Sequence, residues 1–207
     1  MKLSMALICA LLSIMITSAY AVTFDEILVH KSSNSQPFWG DYYKNITWTK
    51  HAPYLPKEME GEVIEPGEAD YRGQIDIGLV DLDGDKKPET IKVIWGHGVS
   101  DHSLLLELYK DAGMKTLIAK LEPTGIQPNF KLEDLDGDGK LEVILWGAVS
   151  DPSMSQDVND TSKPFEGHSS PHLYEVSIYK MEAGGYKLSQ RYTSKKKYEP
   201  FCEEQPI

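Results

Sequence analysis

Asp81-Leu82-Asp83-Gly84-Asp85-Lys86-Lys87-Pro88-Glu89 returns 53 residues later as Asp134-Leu135-Asp136-Gly137-Asp138-Gly139-Lys140-Leu141-Glu142. Each stretch leads into an apolar run ending in Trp-Gly, at 90–96 and 143–147, and then into Val-Ser-Asp, at 99–101 and 149–151. Further along, Leu108-Tyr109-Lys110 is echoed by Ile178-Tyr179-Lys180, and both lead toward Ala-Gly. Four matching features in one order mark two copies of a single unit. The second copy carries a polar insertion at about 152–171.

Within each copy the apolar period is two. Ile75, Ile77 and Leu79 alternate with polar neighbours, as do Ile91, Val93 and Trp95, then Leu104, Leu106 and Leu108. Leu117, Ala119 and Leu121 form another row, and Tyr174, Val176 and Ile178 a further one. Alternation broken by Gly, Asp and Pro turns predicts short antiparallel strands, and long helical patterns are absent beyond the N-terminal segment. Strands at 90–95, 103–110, 115–121 and 129–133 would form one four-stranded unit of propeller-blade size. A closed propeller needs about four blades, and four units at a 53-residue pitch need 212 residues, more than the chain offers. The fold expected is mainly β: an antiparallel meander of propeller-blade-like repeats, one complete blade flanked by partial ones, not a closed propeller as a monomer.

Of 207 residues, 21 are Lys or Arg and 32 are Asp or Glu, a formal net charge of −11. That balance argues against a nucleic-acid backbone, which needs clustered cations, and against docking on anionic lipid. Lys2, an apolar run over 5–16, and small residues at Ala19 and Ala21 read as a cleaved signal peptide over 1–21. The run is shorter than the roughly 20 residues of a membrane-spanning helix. The expectation is therefore export to the periplasm, cell surface or medium, with no membrane span after cleavage and a mature charge of −12. Residues 22–71 read as an aromatic- and Pro-rich wrap with a short helix near 23–30, and 72–207 as the β-repeat domain. Removing Cys9 with the leader leaves Cys202 as a single thiol, so no intrachain disulfide is expected and no catalytic role is assigned to it.

The acidic stretches carry the chemistry. Asp81, Asp83 and Asp85 occupy positions 1, 3 and 5 of a loop with Glu89 at position 9, and Asp134, Asp136, Asp138 and Glu142 repeat the spacing. A tight turn through Gly84 or Gly137 aims alternate carboxylates at one point, where they repel unless a cation joins them. A hard divalent ion suits all-oxygen donors. Ca²⁺ accepts six to eight in a flexible loop, whereas Mg²⁺ prefers near-ideal octahedral geometry. The position-7 carbonyl, from Lys87 or Lys140, is the expected backbone ligand. An EF-hand is excluded, because its position 12 is here Lys92 or Leu145 rather than an acid.

An acid at position 9 just before a β-run resembles the FG-GAP/VCBS-type repeats of integrin α-subunit propellers and many bacterial surface proteins, over about residues 72–150. The pattern of those repeats is Asp-x-Asp-x-Asp-Gly-x-x-Asp. The chain departs from it at position 9, which is Glu in both copies, and at position 6, which is Gly139 in the second copy but Lys86 in the first. The resemblance implies structural Ca²⁺ pinning the turn between adjacent strands, with no open site for activating water.

Three functional readings follow. The first is an exported, non-enzymatic calcium-binding repeat protein with a surface binding or structural role, its partners Ca²⁺ and a surface glycan or protein. The second is a small secreted hydrolase acting on polysaccharide or peptide. It would require His97, His102, His168 and His172 to converge, although no acid/base pair can be nominated. The third is a glycan- or protein-binding module built on Trp39, Tyr42, Tyr43, Trp48 and Tyr54, aromatics that serve equally well to cap a β-core. Asp101 and Asp151 read as turn residues, and the Lys195-Lys196-Lys197 run reads as a solvated strand end.

Overall fold

The computed structural model describes residues 43–53, 73–97, 102–167 and 170–198. Those residues form nine strands: β1 (Thr47–Pro53), β2 (Gln74–Val80), β3 (Glu89–His97), β4 (His102–Tyr109), β5 (Leu117–Leu121), β6 (Ile126–Glu133), β7 (Glu142–Val149), β8 (Leu173–Glu182) and β9 (Gly185–Thr193). Every pairing is antiparallel between sequence neighbours. The strands make one five-stranded sheet, β1 to β5 in order, and one four-stranded sheet, β6 to β9 in order. Neither closes on itself, and there is no helix among the described residues. The mainly-β antiparallel meander is thus what the period-two patterning demands. The signal-peptide segment, the proposed helix near 23–30, Trp39, Tyr42, Tyr54, Asp101, His168 and Cys202 lie outside the described residues.

Each repeat supplies four strands, β2–β5 and β6–β9, and each opens on a hairpin whose connection is the acidic stretch. The strands expected at 90–95, 103–110, 115–121 and 129–133 therefore do not share a sheet. The fourth of them, β6, starts the second sheet. The break falls at Glu122-Pro123-Thr124-Gly125, where a proline removes a ladder donor. Gly125 follows at φ 84°, so close to β7 that a Cβ would lie 2.0 Å from the Ala148 carbonyl oxygen. The described residues thus hold two complete units rather than one with partial flanks.

Strand β1 lies in the region read as a wrap. The ladder skips Thr49 between Trp48 and Lys50, and that bulge destroys the alternation by which a strand is recognised.

The packing follows from the faces. The face of β3 that carries Glu89 also carries Ile91 and Val93, opposite Leu108 and Leu106 of β4. These are fully buried against Phe130, Leu132, Val143 and Leu145 of the second sheet. In β7, however, Glu142 shares its face with Ile144 and Trp146, on the side away from the first sheet. The two units therefore stack head to tail, the Glu-bearing face of one on the opposite face of the next. The Glu-bearing face of the second unit, with Ile144, Trp146, Tyr174, Val176 and Ile178, is covered from the chain itself, Leu135, Tyr192 and Tyr198 packing against it. Strand β7 is buried on both faces as a result. Each such apolar side chain contributes about 1.5–3 kcal/mol.

The insertion is pinned rather than loose. Lys197 Nζ reaches Asp151 Oδ2 at 2.7 Å and Glu166 Oε1 at 3.1 Å, while Glu166 Oε2 accepts the Asp151 N–H at 3.0 Å. The lysine run is thus only partly a solvated strand end, since Lys197 clamps the insertion. The lysine ammonium, with Ser153, holds the Asp151 carboxyl well below its ordinary range.

Candidate metal centre

The two acidic loops fold alike, bond for bond. In the first, Asp81 Oδ1 and Oδ2 accept the N–H groups of Gly84 and Lys86 at 2.9 and 3.0 Å. In the second, Asp134 accepts those of Gly137 and Gly139 at 2.8 and 2.9 Å. Asp83 accepts from Asp85 N and Asp136 from Asp138 N, both at 3.2 Å. Asp85 and Asp138 accept from Lys87 N and Lys140 N at 2.8 and 2.9 Å. The position-9 acids are buried and close the loops from below: Glu89 Oε2 accepts the Leu82 N–H at 2.9 Å, and Glu142 Oε2 the Leu135 N–H at 2.7 Å. Leu82 and Leu135 then anchor each loop by packing into the two cores.

Position 6 explains one difference between the copies. Gly139 sits at φ 84° and Lys86 at φ 65°. Both loops therefore need a left-handed residue there, and the first satisfies the turn with a strained lysine.

These turns gather carboxylates. Asp81, Asp83 and Asp85 bring oxygens within 4.8 Å of one another, as do Asp134, Asp136 and Glu142. Either group can hold a metal ion, and an all-carboxylate donor set fits a hard cation. Glu89 and Asp138 lie in the same loops but outside those tightest triplets. The side chains of Lys87 and Lys140 point back to Asp85 and Asp138 at 3.7 and 3.5 Å, so any part these lysines take in binding belongs to the main chain.

A further residue pair emerges that loop spacing alone does not indicate. Lys110 Nζ sits 2.5 Å from Asp83 Oδ2 and 2.9 Å from Glu89 Oε1. Lys180 Nζ sits 2.7 Å from Asp136 Oδ2 and 3.8 Å from Glu142 Oε1. These are the lysines of the repeated Tyr-Lys echo, each placing an ammonium on the acids at positions 3 and 9. The echo is the signal by which sequence could have found them. Hydrogen bonds from Lys110 and Lys180 hold the Asp83 and Asp136 carboxyls below their ordinary range. Burial, reinforced by Asp136 and Asp138, pushes Glu142 up.

The loops also touch. Leu141 N donates to Leu82 O at 3.0 Å, and a Cβ on Gly84 would lie 2.5 Å from Gly139 O. Tyr186 of β9 is seated here, its hydroxyl donating to Leu141 O at 2.7 Å. Burial, then the charges of Glu142, Glu89 and Asp83, raises its phenol strongly. The two carboxylate groups thus form one acidic rim.

Among the described residues the histidines are dispersed. His97 and His102 pair across the β3–β4 hairpin of the first sheet, whereas His172 is buried just ahead of β8 in the second, with Nδ1 3.8 Å from Glu166 Oε1.

The fold and site together define an all-β protein of two stacked repeats whose hairpin loops can hold metal ions. No family model, curated protein or solved structure matches the chain.

Proposed function

We propose that this is an exported, non-enzymatic Ca²⁺-binding repeat protein in which two ions brace the paired loops at one end of a β-scaffold with a surface binding or structural role. The observation that carries this reading is the duplication: two loops with the same backbone hydrogen bonding each bring three carboxylates within 4.8 Å of one another, Asp81, Asp83 and Asp85 in the first and Asp134, Asp136 and Glu142 in the second. A single acidic turn arises readily on any surface, but a second copy with the same Asx bonding and the same buried Glu speaks for a shared ligand. Six or more oxygen ligands suit Ca²⁺, and the acids at positions 1, 3, 5 and 9 with the position-7 carbonyl and water supply them. Ca²⁺ entry displaces the Lys110 or Lys180 ammonium from at least one carboxylate, exchanging one positive charge for two.

Thermal unfolding in Ca²⁺, Mg²⁺ and EGTA tests the reading. A site held at 100 times its Kd stabilises the native state by about 2.7 kcal/mol, or about 5–11 °C in Tm for a chain of this size. An unchanged midpoint in excess EGTA removes the metal from the account.

A further inference from the structure

Beyond the acidic rim, the open part of the interface between the sheets has its own chemistry. On the inner face of the first sheet, Trp48 stands opposite Gly78, His51 opposite Asp76, and Trp95 opposite Gln74. The last fully buried core side chain in this direction is Phe130 of β6. Tyr43 packs against it at 4.8 Å between ring centroids and Trp95 at 6.2 Å, while Trp48 meets Tyr43 edge to face at 5.9 Å. Beside these rings, on β1–β3, lies an open cleft of about 480 Å³. That volume is within the range of small-ligand sites. Tyr43, Trp48, Trp95, Asp76, Lys50 and His51 line it.

Its features are those of a preformed site. Trp48 is 40% exposed, yet its ring lies over Gly78, where a Cβ would come within 3.1 Å of it, so the platform is held in place. Asp76 is fixed by three donors: His51 Nδ1 at 2.6 Å on Oδ1, with Gln74 Nε2 at 2.5 Å and Trp95 Nε1 at 3.1 Å on Oδ2. A carboxylate offers about four acceptor positions, so one on Oδ1 remains for a ligand hydroxyl.

Charge narrows the ligand. Asp76 is already met by three donors, which leaves little for a cation, and the acidic chain opposes a polyanion. What fits is a neutral molecule with an apolar face to lie on an indole and hydroxyls along its edge. We propose that this cleft binds carbohydrate, with Trp48 and Trp95 as stacking surfaces and Asp76 accepting from a sugar hydroxyl. The site lies on β1–β3 and requires no metal, so it stands or falls apart from the calcium loops.

The test is binding of the full-length chain to a glycan array, followed by tryptophan-fluorescence titration with cellotetraose, chitotetraose and maltotetraose, in Ca²⁺ and in EGTA. The expected result is saturable binding of at least one class with a blue shift of the emission. Trp48→Ala and Asp76→Asn each weaken binding at least tenfold, while Phe165→Ala, an exposed aromatic of the insertion, leaves it unchanged. Far-ultraviolet circular dichroism establishes that each variant is folded; if Trp48→Ala is not, Trp48→Leu takes its place with a threefold or greater loss expected. Absence of binding by the folded wild-type chain at millimolar sugar, or binding equal in wild type and Trp48→Ala, overturns the proposal.

Discussion

Replacing Lys180 with Met keeps the aliphatic stem and removes the charge that sits 2.7 Å from Asp136 and 3.8 Å from Glu142. Exposed ion pairs contribute about 0.2–1 kcal/mol, and breaking a fully buried one costs about 3–5 kcal/mol. Lys180 is one-third exposed and Asp136 43% exposed, but Glu142 is only 3% exposed. That mixture places the loss toward the lower end, at about 1–1.5 kcal/mol. The penalty applies to the metal-free protein. In the Ca²⁺ form the ion supplies the positive charge, so the variant loses little there. The thermodynamic cycle then requires the variant to bind Ca²⁺ more tightly by the difference, about tenfold in Kd for about 1.4 kcal/mol. Isothermal titration calorimetry of the wild type and Lys180→Met measures this directly. Lys187→Met serves as control, since its pairing with Glu182 is exposed and belongs to no loop. Equal or weaker Ca²⁺ binding by Lys180→Met refutes the view that the lysine and the metal compete for the same carboxylates.

Three further outcomes follow from local geometry. Lys86→Gly relieves a left-handed residue costing about 1–2 kcal/mol, partly offset by the greater chain freedom of glycine, so a gain of about 0.5–1 kcal/mol should appear in urea unfolding. A loss would contradict the strain. A Cβ at Gly125 would meet Ala148 O at 2.0 Å, whereas one at Gly139 has nothing near it. Gly125→Ala should therefore destabilise by at least about 3 kcal/mol. Gly139→Ala should cost only the left-handed penalty of about 1–2 kcal/mol. A reversed order in urea unfolding would refute the packing at the inter-sheet crossover. The clamp on the insertion should depend on pH. Asp151 has a depressed carboxyl, so its contribution is fully present above the ordinary value of 3.8 and disappears as pH falls through its lower folded value. Pepsin should therefore cut the insertion of the wild type at pH 2 far faster than at pH 4, whereas Asp151→Asn should be cut readily at both; a wild-type rate that ignores this interval would rule out the clamp.

Much of this architecture is written in the alternation of short apolar rows and in the duplicated acidic stretch, because both are local signals. Ile91, Val93, Leu106 and Leu108 declare a buried face by spacing alone, and Asp81 to Glu89 declare a loop by their turn residues. The phase of the repeat is harder to read. Nothing in β6 itself distinguishes a fourth strand of the first unit from the first strand of the second; the difference arises from Pro123 and from the approach of Gly125 to β7, a tertiary contact. Strand β1 is hidden by its bulge at Thr49. Among site residues, the acids are visible in the sequence, and the lysines only as an unexplained echo. Their reach onto positions 3 and 9 depends on β4 and β8 ending beside the loops. By spacing, Trp95 is only the end of a strand. Its part in the cleft appears once β1 brings Trp48 and His51 alongside.

The most direct measurement of the central claim is the number of Ca²⁺ ions bound per chain, determined by equilibrium dialysis of the metal-stripped protein at pH 7. Two are expected for the wild type, one for Asp134→Asn/Asp136→Asn and one for Asp81→Asn/Asp83→Asn. No bound calcium in the folded wild type, or a stoichiometry that neither double variant lowers, would contradict it.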